Sequence, residues 1–135
     1  MVLGKKTPVV AMEPMPDTYA ILNKNIKLNR SDVKALRVAA YDGSSPTVRL
    51  LRSSYHSGGD FISPEGTVEV PTCTLDYVWH EYGPFDLIKV DVEGAEVKVL
   101  EGLSHIPKYL VIEVRPRTWS YIKRWLLGRL RMLTH

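Results

Sequence analysis

Four short apolar runs recur along the chain: PVVAM (Pro8–Met12), ALRVAAY (Ala35–Tyr41), DLIKVDV (Asp86–Val92) and YLVIEV (Tyr109–Val114). Each is stopped by a polar or helix-breaking pair: Glu13-Pro14, Asp42-Gly43, Glu93-Gly94 and Arg115-Pro116. Runs this short, without strict alternation, read as strands buried on both faces, which is the pattern of a parallel sheet. The stretches between them carry helical spacing. Asp17 can cap a helix with Tyr19, Leu22 and Ile26 on one face and Asn29 as its stop. TCTLDYVWHEY predicts a short helix from near Thr74, broken by Gly83-Pro84. Gly94–Leu103 predicts another, with Val97, Leu100 and Val99 inward. Thr118 can cap a last helix whose apolar residues are Trp119, Ile122, Leu126, Leu130 and Leu133. Thr47–Ser54 and Val68–Val70 read as further extended pieces around an exposed Gly- and Ser-rich loop, SYHSGGDFISPEG. Strands alternating with helices predict an α/β fold with a mostly parallel sheet.

The 135 residues suit one domain, and 44% apolar with 24% charged residues is an ordinary globular balance. A single cysteine, Cys73, excludes an internal disulfide and a multi-cysteine zinc site. No apolar run approaches the ~18 residues of a membrane span, and MVLGKKTPVV lacks the apolar centre of a secretory signal, so a cytoplasmic location is expected. Charge is uneven. From Arg115 onward there are six basic residues and no acid, while the first 114 residues hold 12 bases against 15 acids. The basic end reads first as a solvated helix face; peripheral contact with an anionic membrane is the alternative, and nucleic acid is not an expected partner.

Open parallel sheets place ligands beyond the C-terminal ends of their strands. Glu13 ends the first run and can accept hydrogen bonds from a ribose diol. Asp91 interrupts an apolar strand, where an ionised group is costly unless paired, and Lys89 lies two residues back on the same strand face to pair it. Glu93 and Glu96 suit the start of a helix electrostatically. The histidines (His56, His80, His105, His135) show no zinc-ligand spacing, so no metal is expected. His56 reads as a surface residue of the Gly-rich loop rather than a general base, and Cys73, without a basic neighbour, as an inert thiol. There is no GxSxG elbow and no phosphate-binding glycine loop.

The order VVAMEPMPDTYAILNKNIKLN, RVAAYDG, VEVPTCTLDYV, DLIKVDVEGAEVKVLEGL, YLVIEV resembles the FkbM family of methyltransferases from about Val9 to Val114. The resemblance implies a Rossmann-like methyltransferase fold and S-adenosylmethionine as cofactor. It also implies O-methylation of a sugar or other small hydroxylated acceptor. It assigns Glu13 to the cofactor's ribose, Ala40, Tyr41 and Asp42 to the adenine side, and Asp91 with Lys89 to the methyl-transfer site. There Asp91 either orients the acceptor hydroxyl, takes its proton or braces the loop. Family members open with a strand and a DxGxNxG loop, whereas only MVLGKKT precedes the first run here. The expectation is therefore a partial domain, residues 1–116, incomplete at both ends and followed by a basic amphipathic helix, 117–135. Such a chain is an inactive or weak enzyme, or else an accessory subunit that completes its sheet with a partner or as an oligomer through an open edge.

Overall fold

The computed structural model describes residues 8–52 and 59–133. Strand β1 (Val9–Met12) leads through Pro14 into helix α1 (Pro16–Leu28), and β2 (Val33–Leu36) returns to pair with β1 in parallel, Val9 opposite Val33. Asp17 sits in the first turn of α1 rather than at its cap, which is Met15, and Asn29 closes the helix as expected. The run Ala35–Tyr41 does not form one strand. It splits between β2 and a second piece, β3 (Ala39–Ala40), which joins a different sheet.

That second sheet has the order β3-β6-β4-β5, with β4 at Thr47–Leu51, β5 at Phe61–Ile62 and β6 at Val68–Cys73. β3 runs parallel to β6, but β4 is antiparallel to both β5 and β6. A third, parallel pair joins β7 (Leu87–Val90) and β8 (Tyr109–Ile112), with Leu87 opposite Tyr109. The fold is thus mixed α/β. The expectation of a mostly parallel sheet holds only in part: three of the five strand pairings described are parallel, but β4 lies between β5 and β6 and runs antiparallel to both, so the sheets are mixed. β5 also corrects part of the predicted exposed loop: Phe61 and Ile62 pair with Leu51 and Leu50.

Helix α2 (Leu75–Tyr82) begins at Thr74, whose hydroxyl accepts from the Tyr77 N–H at 3.1 Å. Helix α3 is Glu96–Glu101 and α4 is Trp119–Leu133. Before α4 the Thr118 hydroxyl donates to the Arg115 carbonyl at 2.9 Å, and the Thr118 carbonyl accepts from the Tyr121 and Ile122 N–H groups. Two cores result. Met15, Ala39, Val48, Leu50 and Val70 fill one, under the second sheet. Leu100, Leu103 and Ile122 centre the other, where α4 packs on α3, with Trp125 and Leu126 against them. Burying a side chain such as Leu103 favours folding by about 1.5–3 kcal/mol. Val99 and Leu100 of α3 face inward as predicted. On α4 the inner face uses Ile122, Trp125 and Leu126, while Trp119 is 54% exposed. Arg129 fixes the helix, donating to the Ser104 and Leu103 carbonyls at 2.9 and 3.0 Å. Among the described residues no helix is long and apolar enough to cross a membrane.

Between β1 and β7 lies a groove of about 320 Å³ walled by Val10, Ala11 and Met12 on one side and Leu87 to Val90 on the other. The Glu13 N–H reaches the Leu36 carbonyl, so by the alternation of a strand the N–H and C=O of Val10 and Met12 point away from β2. The Asp86 and Val90 carbonyls accept from β8, so those of Leu87 and Lys89 point away from β8.

Candidate functional site

A cavity of about 170 Å³ opens where β1 and β7 end. Its wall includes Glu13, Ala39, Ala40, Phe61 and Asp91. Glu13 stays on the strand ladder through its N–H, while its Oε1 accepts from the Met15 N–H at 2.8 Å and turns the chain into α1. Burial pushes the Glu13 carboxyl above its usual range, with the Met15 N–H opposing and Asp60 and Asp17 adding to the rise. Asp91 follows β7 directly. Lys89 Nζ donates to its Oδ2 at 3.0 Å, the pairing that the strand spacing predicts. Asp91 borders both the cavity and the neighbouring groove, whereas Lys89 borders only the groove.

The residues expected on the adenine side divide. Ala40 is on the cavity wall with Glu13. Tyr41 packs against the first core and its N–H donates to the Cys73 carbonyl at 2.9 Å. Asp42 is occupied elsewhere: Oδ1 accepts from the Ser44 N–H at 2.8 Å and Oδ2 from Lys98 Nζ at 2.9 Å. The Ser44 side chain foremost, then Lys98 and then the Ser44 N–H, pull the Asp42 carboxyl down to about 2. Asp42 and Glu101 in turn hold the Lys98 ammonium above its usual range. Neither Tyr41 nor Asp42 belongs to the cavity wall.

Other features were not evident in the sequence. Asp60, Phe61 and Ile62 join the cavity wall because β5 folds over it; the only signal was an aromatic and a β-branched residue side by side between Gly59 and Pro64. Asp76 of the Leu75-Asp76 pair is a structural brace. Its Oδ1 accepts from the Ser104 N–H at 2.7 Å and meets His105 Nδ1 at 2.9 Å. Burial pushes its carboxyl up, and the bonds from His105 and Ser104 outweigh that, leaving it lowered. Glu96, expected only to suit the start of a helix electrostatically, is 2% exposed. Burial pushes the half-buried Cys73 thiol up, which suits an inert role. His56 lies outside the described residues, as do Gly4 and the rest of residues 1–7. Among the described residues, no group of three or more His, Cys, Asp or Glu is placed to hold a metal ion.

Residues 2–133 match the family model of the methyltransferase FkbM domain. The chain belongs to the FkbM methyltransferase family. Glu13, Ala40, Lys89, Asp91 and Glu96 all lie within the FkbM match. Among curated relatives, methyltransferase sdnD of Sordaria araneosa is 30% identical over 149 residues, covering 83% of this chain and 57% of its own length. Hexuronic acid methyltransferase AglP of Haloferax volcanii is 29% identical over 119 residues, covering 84% of this chain and 49% of its own. This FkbM chain therefore spans about half the length of the curated relatives it matches. No solved structure gives a significant match.

Proposed function

We propose that this chain carries the ribose-binding and acceptor-binding parts of an S-adenosylmethionine-dependent O-methyltransferase with a Rossmann-like arrangement. The observation that carries the reading is the meeting of Glu13 and Asp91 on one cavity, at the C-terminal ends of two separate parallel pairs. That is where an open α/β sheet binds its ligand. The residues fit the nucleoside half of the cofactor. Glu13 offers a half-buried acceptor for ribose hydroxyls, and Val38, Ala39, Ala40 and Leu50 give an apolar wall for a purine. No glycine is on that wall, so nothing described supplies the backbone cradle for the methionine half.

When bound, the cofactor supplies an electrophilic methyl group. The chain's part is orientation first, because a nucleophilic oxygen must be held in line with that methyl. Asp91 can accept the hydroxyl proton through the carboxylate oxygen that Lys89 does not hold. Lys89 fixes the carboxylate from the groove side. The relative named as a hexuronic acid methyltransferase supports a sugar-like acceptor. Titration calorimetry of the 135-residue chain with S-adenosylhomocysteine tests the reading. Saturable binding that Glu13→Gln weakens supports it, and no heat of binding at millimolar ligand overturns it.

A second reading is favoured by the groove between β1 and β7. Two strands whose outward backbone groups line one apolar groove suit an inserted strand from a partner, because buried N–H and C=O groups need partners. Under this reading the chain acts as a sheet-completing subunit, and its state of association in solution is the test.

A further inference from the structure

Helix α4 has two faces, and the fold uses one of them. Ile122, 1% exposed, fills the second core with Trp125 and Leu126 against it. Arg129 ties that same face to the Leu103 and Ser104 carbonyls. The opposite face is open. Trp119, Tyr121 and Leu127 are 54%, 57% and 49% exposed there. Lys123 and Arg124 stand exposed among them. Trp119, Lys123 and Leu127 recur at four-residue spacing, so they form one row along the helix. Tyr121 and Arg124 lie beside that row, with the guanidinium 4.8 Å from the ring centre.

The charge of this face is of one sign. No acid occurs from Arg115 to the end of the chain. Arg115 is engaged by Glu93. Among the described residues, Arg117, Lys123 and Arg124 enter no ion pair. Unpaired cations on one face attract an anionic partner. Large apolar side chains between those cations call for apolar surface directly beside the anionic charge. A nucleic acid supplies the charge, but a single convex helix gives its backbone no groove to follow and leaves Leu127 without a partner. An anionic bilayer supplies both, with charged headgroups above and acyl carbon just beneath. Trp and Tyr favour that level of a membrane. Lys and Arg set among Trp and Leu are the composition of helices that lie in it.

We propose that the outer face of α4 docks this chain on an anionic membrane surface. The helix lies flat, with Arg117, Lys123 and Arg124 at the lipid headgroups and Trp119, Tyr121 and Leu127 at the boundary below them. Its inner face stays on the core, so contact is peripheral and reversible. The first 114 residues hold 12 bases against 15 acids, so the same surface repels the body and sets one orientation. The inference does not depend on the methyltransferase reading.

The test is flotation of the full chain with vesicles of phosphatidylcholine and phosphatidylserine, and with vesicles of phosphatidylcholine alone. At low salt, retention should be at least about tenfold stronger on the mixed vesicles, and it should vanish at about 1 M salt, where screening acts within about 3 Å. Reversing Lys123 and Arg124 together (K123E, R124E) should weaken retention at least about tenfold. The same charge change on exposed residues of α1 (K24E, K27E) should weaken it no more than about threefold. Brominated phosphatidylcholine in the mixed vesicles should quench tryptophan fluorescence, and Trp119→Phe should remove most of that quenching. No retention on the mixed vesicles at low salt overturns the proposal, as does equal retention on both kinds. Equal weakening by the two charge reversals overturns it as well. Undiminished quenching in Trp119→Phe would mean that another face, or an undocked helix, meets the lipid, and overturns it too. Tighter binding to a single-stranded oligonucleotide than to the mixed vesicles overturns it in favour of nucleic acid. Should a charge-reversed variant not fold, the quenching of wild type against Trp119→Phe decides the case.

Discussion

At the scale of single residues, two carboxylates, Glu13 and Asp42, are displaced in opposite directions, and the difference separates binding from stability. Glu13 is raised by burial, so the fold favours its protonated form. Its contribution to stability is fully present at low pH and is lost as pH rises through the raised folded value. Glu13→Gln should therefore not lower the melting temperature at pH 7. It should weaken S-adenosylhomocysteine binding about 10- to 100-fold, the worth of about 1.5–3 kcal/mol for hydrogen bonds to a charged acceptor. In the wild type the same affinity should fall with acidification at a midpoint above the ordinary glutamate value of 4.5. Asp42 is lowered to about 2 from an ordinary 3.8, by Ser44 and Lys98. Its stabilising contribution is present above 3.8 and lost as pH falls toward 2. Asp42→Asn should melt below the wild type at neutral pH, and the gap should close across that window in thermal scans. A cofactor role for Asp42 would show instead as loss of ligand affinity with an unchanged melting temperature.

At the scale of elements, much of the fold was legible because three of the four strands in the two-stranded parallel pairs are short apolar runs with a stop signal. β1, β7 and β8 stand within their predicted runs, and Asp91 and Lys89 meet because strand spacing alone dictates it. The splitting of Ala35–Tyr41 was not legible, since a continuous apolar run carries no sign of where the chain changes sheets. β5 was hidden for the reverse reason: two residues give no periodicity, and its pairing with β4 is a tertiary choice. The burial of Glu96 was equally silent, because an acid in a first turn is ordinary on an exposed helix. Two junctions make checks of the elements. Thr74→Ala removes the α2 cap and should cost about 1 kcal/mol in urea unfolding. Gly102 ends α3 where a Cβ would overlap the Tyr41 carbonyl oxygen. Gly102→Ala should cost about 1–3 kcal/mol, the range of overpacking.

At the scale of the molecule, the three sheets are held by helices and cores, not by one continuous ladder. Isolated two-stranded sheets are marginal in water, so β1-β2 and β7-β8 rely on α1, α3 and α4 for support. If a partner strand completes the chain, the bare protein should associate with itself through the same edges. Light scattering after size exclusion should then give a mass above 15.3 kDa that rises with loading. Val10→Lys, placing a charge in the groove, should return the mass to the monomer value. A wild-type monomer at every loading would count against the partner reading. The groove also carries its own reporter. The amides of Val10, Met12, Leu87 and Lys89 point into it, while those of Ala11 and Glu13 point to a neighbouring strand. Deuterium should therefore enter β1 in an every-other-residue rhythm. Any molecule that enters as a strand would silence the fast residues on both walls together, whereas a small ligand at the strand ends would leave the rhythm intact.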